Sequence, residues 1–288
     1  MTNGSIKLCT VFLLSLTMVV EAQEIQEITP AVSQKAPVVD GDISEWDSGL
    51  FTTLAITPAM DDDSKNKLGE IDAELAITVV NEHIYVAVKW PDPTESILYR
   101  PWEWKGTKYR KGKKRDDMLA FRLEFSGQYD RSMLTKAKYQ ADVWVWSAGR
   151  SNLAGYADDY LHTITTDFID NVSEYELEDG TIVFIDRETD EGDKGYKSFK
   201  PNLNVKTESK VSSVEITGAQ SGSVADVRAK GVWKDGYWTV EMSRALDTGN
   251  VDDKALMSGD KVLSQIAIFE AINEEHKSIS EPILLNIP

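Results

Sequence analysis

Residues 231–246 read GVWKDGYWTVEMSRAL. Asp235 and Gly236 accept positive φ cheaply, and they separate two β-rich segments carrying Trp233, Trp238 and Val240. This is the pattern of a tight hairpin. Working outward, the stretch 73–92, AELAITVVNEHIYVAVKWPD, offers a second one, with strands over 73–79 and 84–90 joined at Asn81 and Glu82. MLAFRLEF, residues 118–125, alternates apolar and polar side chains as a half-buried strand does. TTLAIT (52–57), VLSQIAIFEAI (262–272) and EPILLNI (281–287) add further strands. No segment keeps a helical period and no long repeat is visible. Short strands punctuated by Gly and Asp imply an all-β chain folded as an antiparallel sandwich.

Two connections look long for such a fold. One covers 91–116 and contains RPWEWKGTKYRKGKKRDD, a basic island whose stretch 105–115 offers a docking surface. The other, 167–211, is rich in Glu, Asp, Gly and Lys. Inserted loops of this length are usually functional.

At the N-terminus, Lys7 precedes the apolar run LCTVFLLSLTMVV, and Val20 and Ala22 occupy the small-residue positions before a cut. This predicts a signal peptide over 1–22, too short an apolar run for a membrane span, and hence an exported, periplasmic protein. Residues 23–35 read as an extended lead-in and 36–288 as one β domain. The sole cysteine, Cys9, falls inside the signal segment. A mature chain without cysteine has no disulfide, no zinc-thiolate site, no iron–sulfur cluster and no covalent haem attachment. The net charge of −17 argues against nucleic acid and anionic lipid as partners.

Catalytic patterns are missing from the sequence. The three histidines, His83, His162 and His276, lie in separate segments, with no Gly-x-Ser-x-Gly and no His-Glu-x-x-His. Adjacent acids such as Asp116/Asp117 and Asp158/Asp159 point to opposite faces of a strand. DRETDEGDKG could hold calcium through Asp186, Asp190 and Asp193. The strand VWVW, 143–146, puts Trp144 and Trp146 on one face and leads through Gly149 and Gly155 to Asp158 and Asp159.

Four pieces carry a family resemblance: VVDGDISEW (38–46), RDDMLAFRLEF (115–125), VWVWSAGRSNLAGYADD (143–159) and IAIFEAINEEHKSIS (266–280). In this order they resemble the haem-binding domain of the ethylbenzene dehydrogenase gamma-subunit type. That domain also occurs in the small subunits of dimethyl sulfide dehydrogenase, chlorate reductase and selenate reductase. The resemblance implies an immunoglobulin-like or carbohydrate-binding-module-like sandwich, not itself a catalyst, with one non-covalent haem b between its sheets. It further implies electron relay between a molybdenum enzyme with an iron–sulfur subunit and a periplasmic carrier such as a c-type cytochrome. The axial methionine and lysine of the family map onto Met133 and Lys277, with Met118 and His276 in reserve. Trp144 and Trp146 would wall the ring, and Gly155 and Tyr156 would lie against it. The sequence departs from the family where Met133-Leu134-Thr135 and Glu270-Ala271 stand. The competing reading is a secreted carbohydrate-binding module in which Trp144, Trp146 and Trp104 stack on sugars.

Overall fold

The computed structural model describes residues 25–61, 63–272 and 276–288; the expected signal peptide and Cys9 lie outside them. The main strands are β1 (Thr52–Pro58), β2 (Ile71–Val80), β3 (His83–Pro91), β4 (Met118–Gly127), β5 (Tyr139–Ser147), β6 (Asp158–Thr165) and β7 (Ser173–Glu176). They continue with β8 (Ile182–Thr189), β9 (Arg228–Lys234), β10 (Tyr237–Ala245), β11 (Lys261–Phe269), β12 (Ser278–Ser280) and β13 (Ile283–Asn286). Their order is β7-β8-β6-β5-β4-β11-β12-β1-β2-β3-β10-β9, with β13 beside β11. Neighbours along this path are antiparallel.

The path folds over on itself. The short β12 pairs with β11 on one edge and β1 on the other, and so forms the seam between two layers. Between them lies the main core, in which Leu75, Val86, Trp90, Trp238 and Val240 meet Leu119, Phe121, Trp144, Trp146 and Ile266. Trp146 of one layer sits 5.0 Å from Trp238 and 6.3 Å from Trp90 of the other, both edge-on. The expected all-β sandwich is the observed architecture.

Both hairpins form as the sequence indicates. Asp235 and Gly236 have φ of 53° and 83°, and Asn81 and Glu82 have φ of 49° and 61°. Two successive left-handed residues give the turn whose twist matches the flanking strands.

The long connections are more ordered than expected. In the first, Trp102–Trp104 pairs with Tyr109–Lys111 and with Lys210–Val211. Buried Tyr109 pins this small sheet by donating its hydroxyl to the Glu208 carbonyl at 2.6 Å, while Lys105, Lys108, Arg110 and Lys111 stay exposed. The second contains β7 and β8, which extend the main sheet. The apolar run Ile182–Ile185 of β8 lies inside an otherwise acidic and polar stretch, which hid it. Before β1, Gln26–Ile28 runs parallel to β13 and Ala31–Val32 parallel to β2.

The layer β8-β6-β5-β4-β11 is apolar on its outer face too. Ala120, Val143, Ile164, Ile185, Ala267 and Phe269 form a second cluster there, with Met133 from the covering segment 128–138.

Candidate functional site

Two adjoining cavities, of about 180 and 190 Å³, open on that outer face. Arg122, Met133, Arg187 and Lys277 line both, which makes them two lobes of one site. The floor is built from small side chains, Ala120, Val143, Val145 and Ala267. On the same strands the opposite face carries Phe121, Trp144, Trp146, Ile266 and Ile268. Strand alternation thus sorts residues by bulk, filling the inter-sheet space and leaving a shelf outside.

Met133 reaches the shelf from above, 9% exposed. Its loop is held locally by Asp130, which accepts from the Ser132 amide and the Thr135 hydroxyl, both at 2.9 Å. Lys277 arrives from the other side, one residue before β12. Its carbonyl accepts from the Ala59 amide at 3.0 Å, and its amine lies 5.9 Å from the Phe269 ring centre. Met118 lines one lobe at the edge of the shelf, its sulfur 2.7 Å from an Arg150 nitrogen. His276 does not reach the cavity. Its Nδ1 lies 2.9 Å from an Asp63 carboxylate oxygen.

The remaining residues assigned from sequence stand elsewhere. Trp144 and Trp146 are wholly buried between the layers. They wall no cavity on the shelf and cannot stack on a sugar. Because VWVW is apolar on both faces, alternation alone does not say which face is the core. Trp104 is half-buried and packs edge-on against Tyr109 at 5.1 Å. Gly155, with φ of 80°, ends the short helix Ser151–Ala154. Tyr156 is buried and donates its hydroxyl to Asp158 at 3.1 Å. Neither lines the shelf cavity. The space between the sheets, where the resemblance puts the haem, is filled by Trp90, Trp144, Trp146 and Trp238.

The acid pairs separate as strand geometry requires. Asp116 accepts from the Gly149 amide at 3.0 Å and from Arg150, whereas Asp117 accepts from the Ser96 and Ala271 amides and the Trp238 indole. Asp116 and Asp117 thus hold the chain at Gly149 and at Ala271. Of the expected calcium ligands, Asp186 is a ladder residue opposite Thr163. Asp193 accepts from the Ser221 hydroxyl at 3.2 Å. Asp190 alone lies among other carboxylates, and not with these two.

Sequence reading missed the cavity's charge. Arg122, Arg131, Arg150 and Arg187 border it along with Lys277. Arg122 is buried, with Tyr129 and Tyr139 stacked on it at 5.1 and 5.7 Å and the Tyr139 hydroxyl accepting at 2.7 Å. It also missed His162, which is buried at the cavity with Nδ1 making no hydrogen bond to the protein. Burial, then the positive charges of Arg187, Arg122 and Lys277, hold this imidazole well below the usual histidine range. It is neutral at pH 7. The two-residue spacing Tyr160-His162-Ile164 on one strand face was the available signal.

Known proteins place the chain more narrowly. No curated protein matches it. A putative carbohydrate-binding protein from Bacteroides uniformis is 7% identical, with a TM-score of 0.43 over 92% of this chain and 100% of its own. A family 9 carbohydrate-binding module from Caldicellulosiruptor kristjanssonii, in complex with glucose, is 11% identical, with a TM-score of 0.35 over 91% of this chain and 97% of its own. The profile of the family described as ethylbenzene dehydrogenase matches residues 78–280, a span from β2 to β12 that contains Met133, Lys277 and the small residues of the shelf floor, and the chain belongs to that family.

Proposed function

We propose that the chain binds one haem b non-covalently on the outer shelf, with Met133 and Lys277 as axial ligands, and serves as a non-catalytic electron-transfer protein or subunit. The observation that carries this reading is that a thioether and an amine, from loops far apart in sequence, line the same cavity over an apolar floor of small residues. Haem b, when bound, supplies a one-electron iron couple, and a thioether ligand favours its reduced state. The surrounding residues suit such a group. Ala120, Val143, Val145 and Ala267 leave room for a flat ring and keep water from its face. Arg122, Arg187 and the other bordering guanidinium groups offer counter-charges to two carboxylates. Neutral His162 adds no charge to the floor.

The same reading takes the protein to be exported to a periplasm, where it exchanges electrons with a redox enzyme of the molybdenum type and a small carrier. The exposed Lys105, Lys108, Arg110 and Lys111 would meet an acidic partner. Reconstitution with hemin tests the central claim. The expected product is red and six-coordinate low-spin, and Met133→Ala or Lys277→Ala converts it to a five-coordinate high-spin form. A folded protein that takes up no hemin, or variants with an unchanged spectrum, would overturn the assignment.

A further inference from the structure

On the opposite face of the same strands lies a second polar site. Asp142 of β5, Asp159 of β6, Asp190 just after β8 and Asp253 are all buried. One guanidinium, that of Arg244, serves three of them, at 2.9 Å from Asp142, 3.0 Å from Asp159 and 3.3 Å from Asp253. Asp190 has no such partner. It is 6% exposed, and neither carboxylate oxygen makes a hydrogen bond. Leaving both oxygens of a buried carboxylate unsatisfied is costly, and native proteins seldom tolerate it without an ion.

We infer that Asp159, Asp190 and Asp253 form a calcium site. One oxygen or more from each of the three lies within 4.8 Å of the others. Two ligands on a common Ca²⁺, each about 2.3–2.6 Å away, can stand no further apart than about 5 Å. The donors are all oxygen, with no thiol or imidazole among them, which selects a hard cation over a transition metal. Arg244 does not replace the ion, because three carboxylates share its single charge and it leaves Asp190 untouched. Further support is already fixed in place. Thr248 and Asn250 donate to Asp253, and the Tyr160 amide donates to Asp159. A cleft of about 680 Å³, lined by Asp190, Ser223, Asn250 and Asp252, gives the ion a path from solvent.

Asp190 is cut off from water among the carboxyl groups of Asp252, Asp253, Asp142 and Asp226. Bound Ca²⁺ would tie the ends of β6 and β8 to the loop carrying Asp253. This site is independent of the shelf and of what binds there.

Calorimetric titration of the chelator-treated full chain with Ca²⁺ tests the inference. One ion per chain should bind, half-saturating below about 1 mM, and the melting temperature should rise with it. Mg²⁺ at the same concentration should have a much smaller effect. Asp190→Asn should weaken Ca²⁺ binding roughly tenfold or more. Three results would each overturn the site: folded wild-type protein that shows no heat and no shift with Ca²⁺, an equal response to Mg²⁺, or an Asp190→Asn response equal to wild type.

Discussion

His276 and Lys277 are adjacent in the chain and face opposite ways. The imidazole turns to Asp63 at 2.9 Å, while the amine enters the cavity over the β4–β5–β6–β11 shelf. Histidine is the commoner metal ligand, yet the chain at the entrance to β12 presents only one of the two to the cavity. With hemin bound, His276→Asn should leave the low-spin absorption bands in place, and Lys277→Met should shift them. A spectrum that follows His276 instead would reverse the ligand assignment.

The neutral state of His162 makes stability depend on pH in one direction. Its folded pKa lies well below the ordinary value of about 6.5. Between those two values the unfolded chain binds more protons, so this residue's contribution is complete above about pH 6.5 and drains away as pH falls. Urea midpoints at pH 7 and pH 5 should differ less in His162→Leu than in the wild type. An equal or larger difference in the variant would contradict the buried neutral imidazole.

Gly231 lies directly beneath Trp146. A Cβ on it would stand 2.2 Å from the indole Cζ2, and the Asn152 side chain brackets the same residue with bonds of 2.8 and 3.1 Å. Gly231→Ala should cost about 1–3 kcal/mol by overpacking, read from chemical denaturation. A variant as stable as the wild type would show that the two layers slide apart easily.

Arg244 is 1% exposed and stands 4.8 Å over the Trp144 ring. Removing it by Arg244→Met strips Asp142, Asp159 and Asp253 of their shared cation. Breaking one side of a buried pair typically costs about 3–5 kcal/mol. Denaturant unfolding in the presence of chelator should show a loss of that order. A loss under about 1 kcal/mol would mean that these carboxylates are protonated rather than paired.

The fold was legible because its cues are local. Asp235–Gly236 fixes a turn by backbone preference, Asn81 favours one ahead of Glu82, and alternation does the rest. Of the cavity's lining, the family pattern reached Met133, Lys277 and, in reserve, Met118. The face of β5 was not, because Val-Trp-Val-Trp is apolar on both sides and burial on both sides erases the usual contrast. Side-chain bulk, Val143 and Val145 against Trp144 and Trp146, carried the information that polarity lacked. Arg122, Arg187 and His162 were invisible for another reason. They come together only through pairings across β4, β6 and β8, and no spacing along the chain records that meeting. The Asp159–Asp190–Asp253 group assembles in the same way from three distant segments.

Lys277 leads straight into the three residues that stitch one layer to the other. Its amine therefore swings from a hinge that cannot travel unless the whole β11–β12–β1 closure comes undone. A metal fastened there would keep nearly the same surroundings in either oxidation state. Such stiffness lowers the reorganisation that slows electron hopping, and it would make loss of the ligand and opening of the sandwich a single cooperative event.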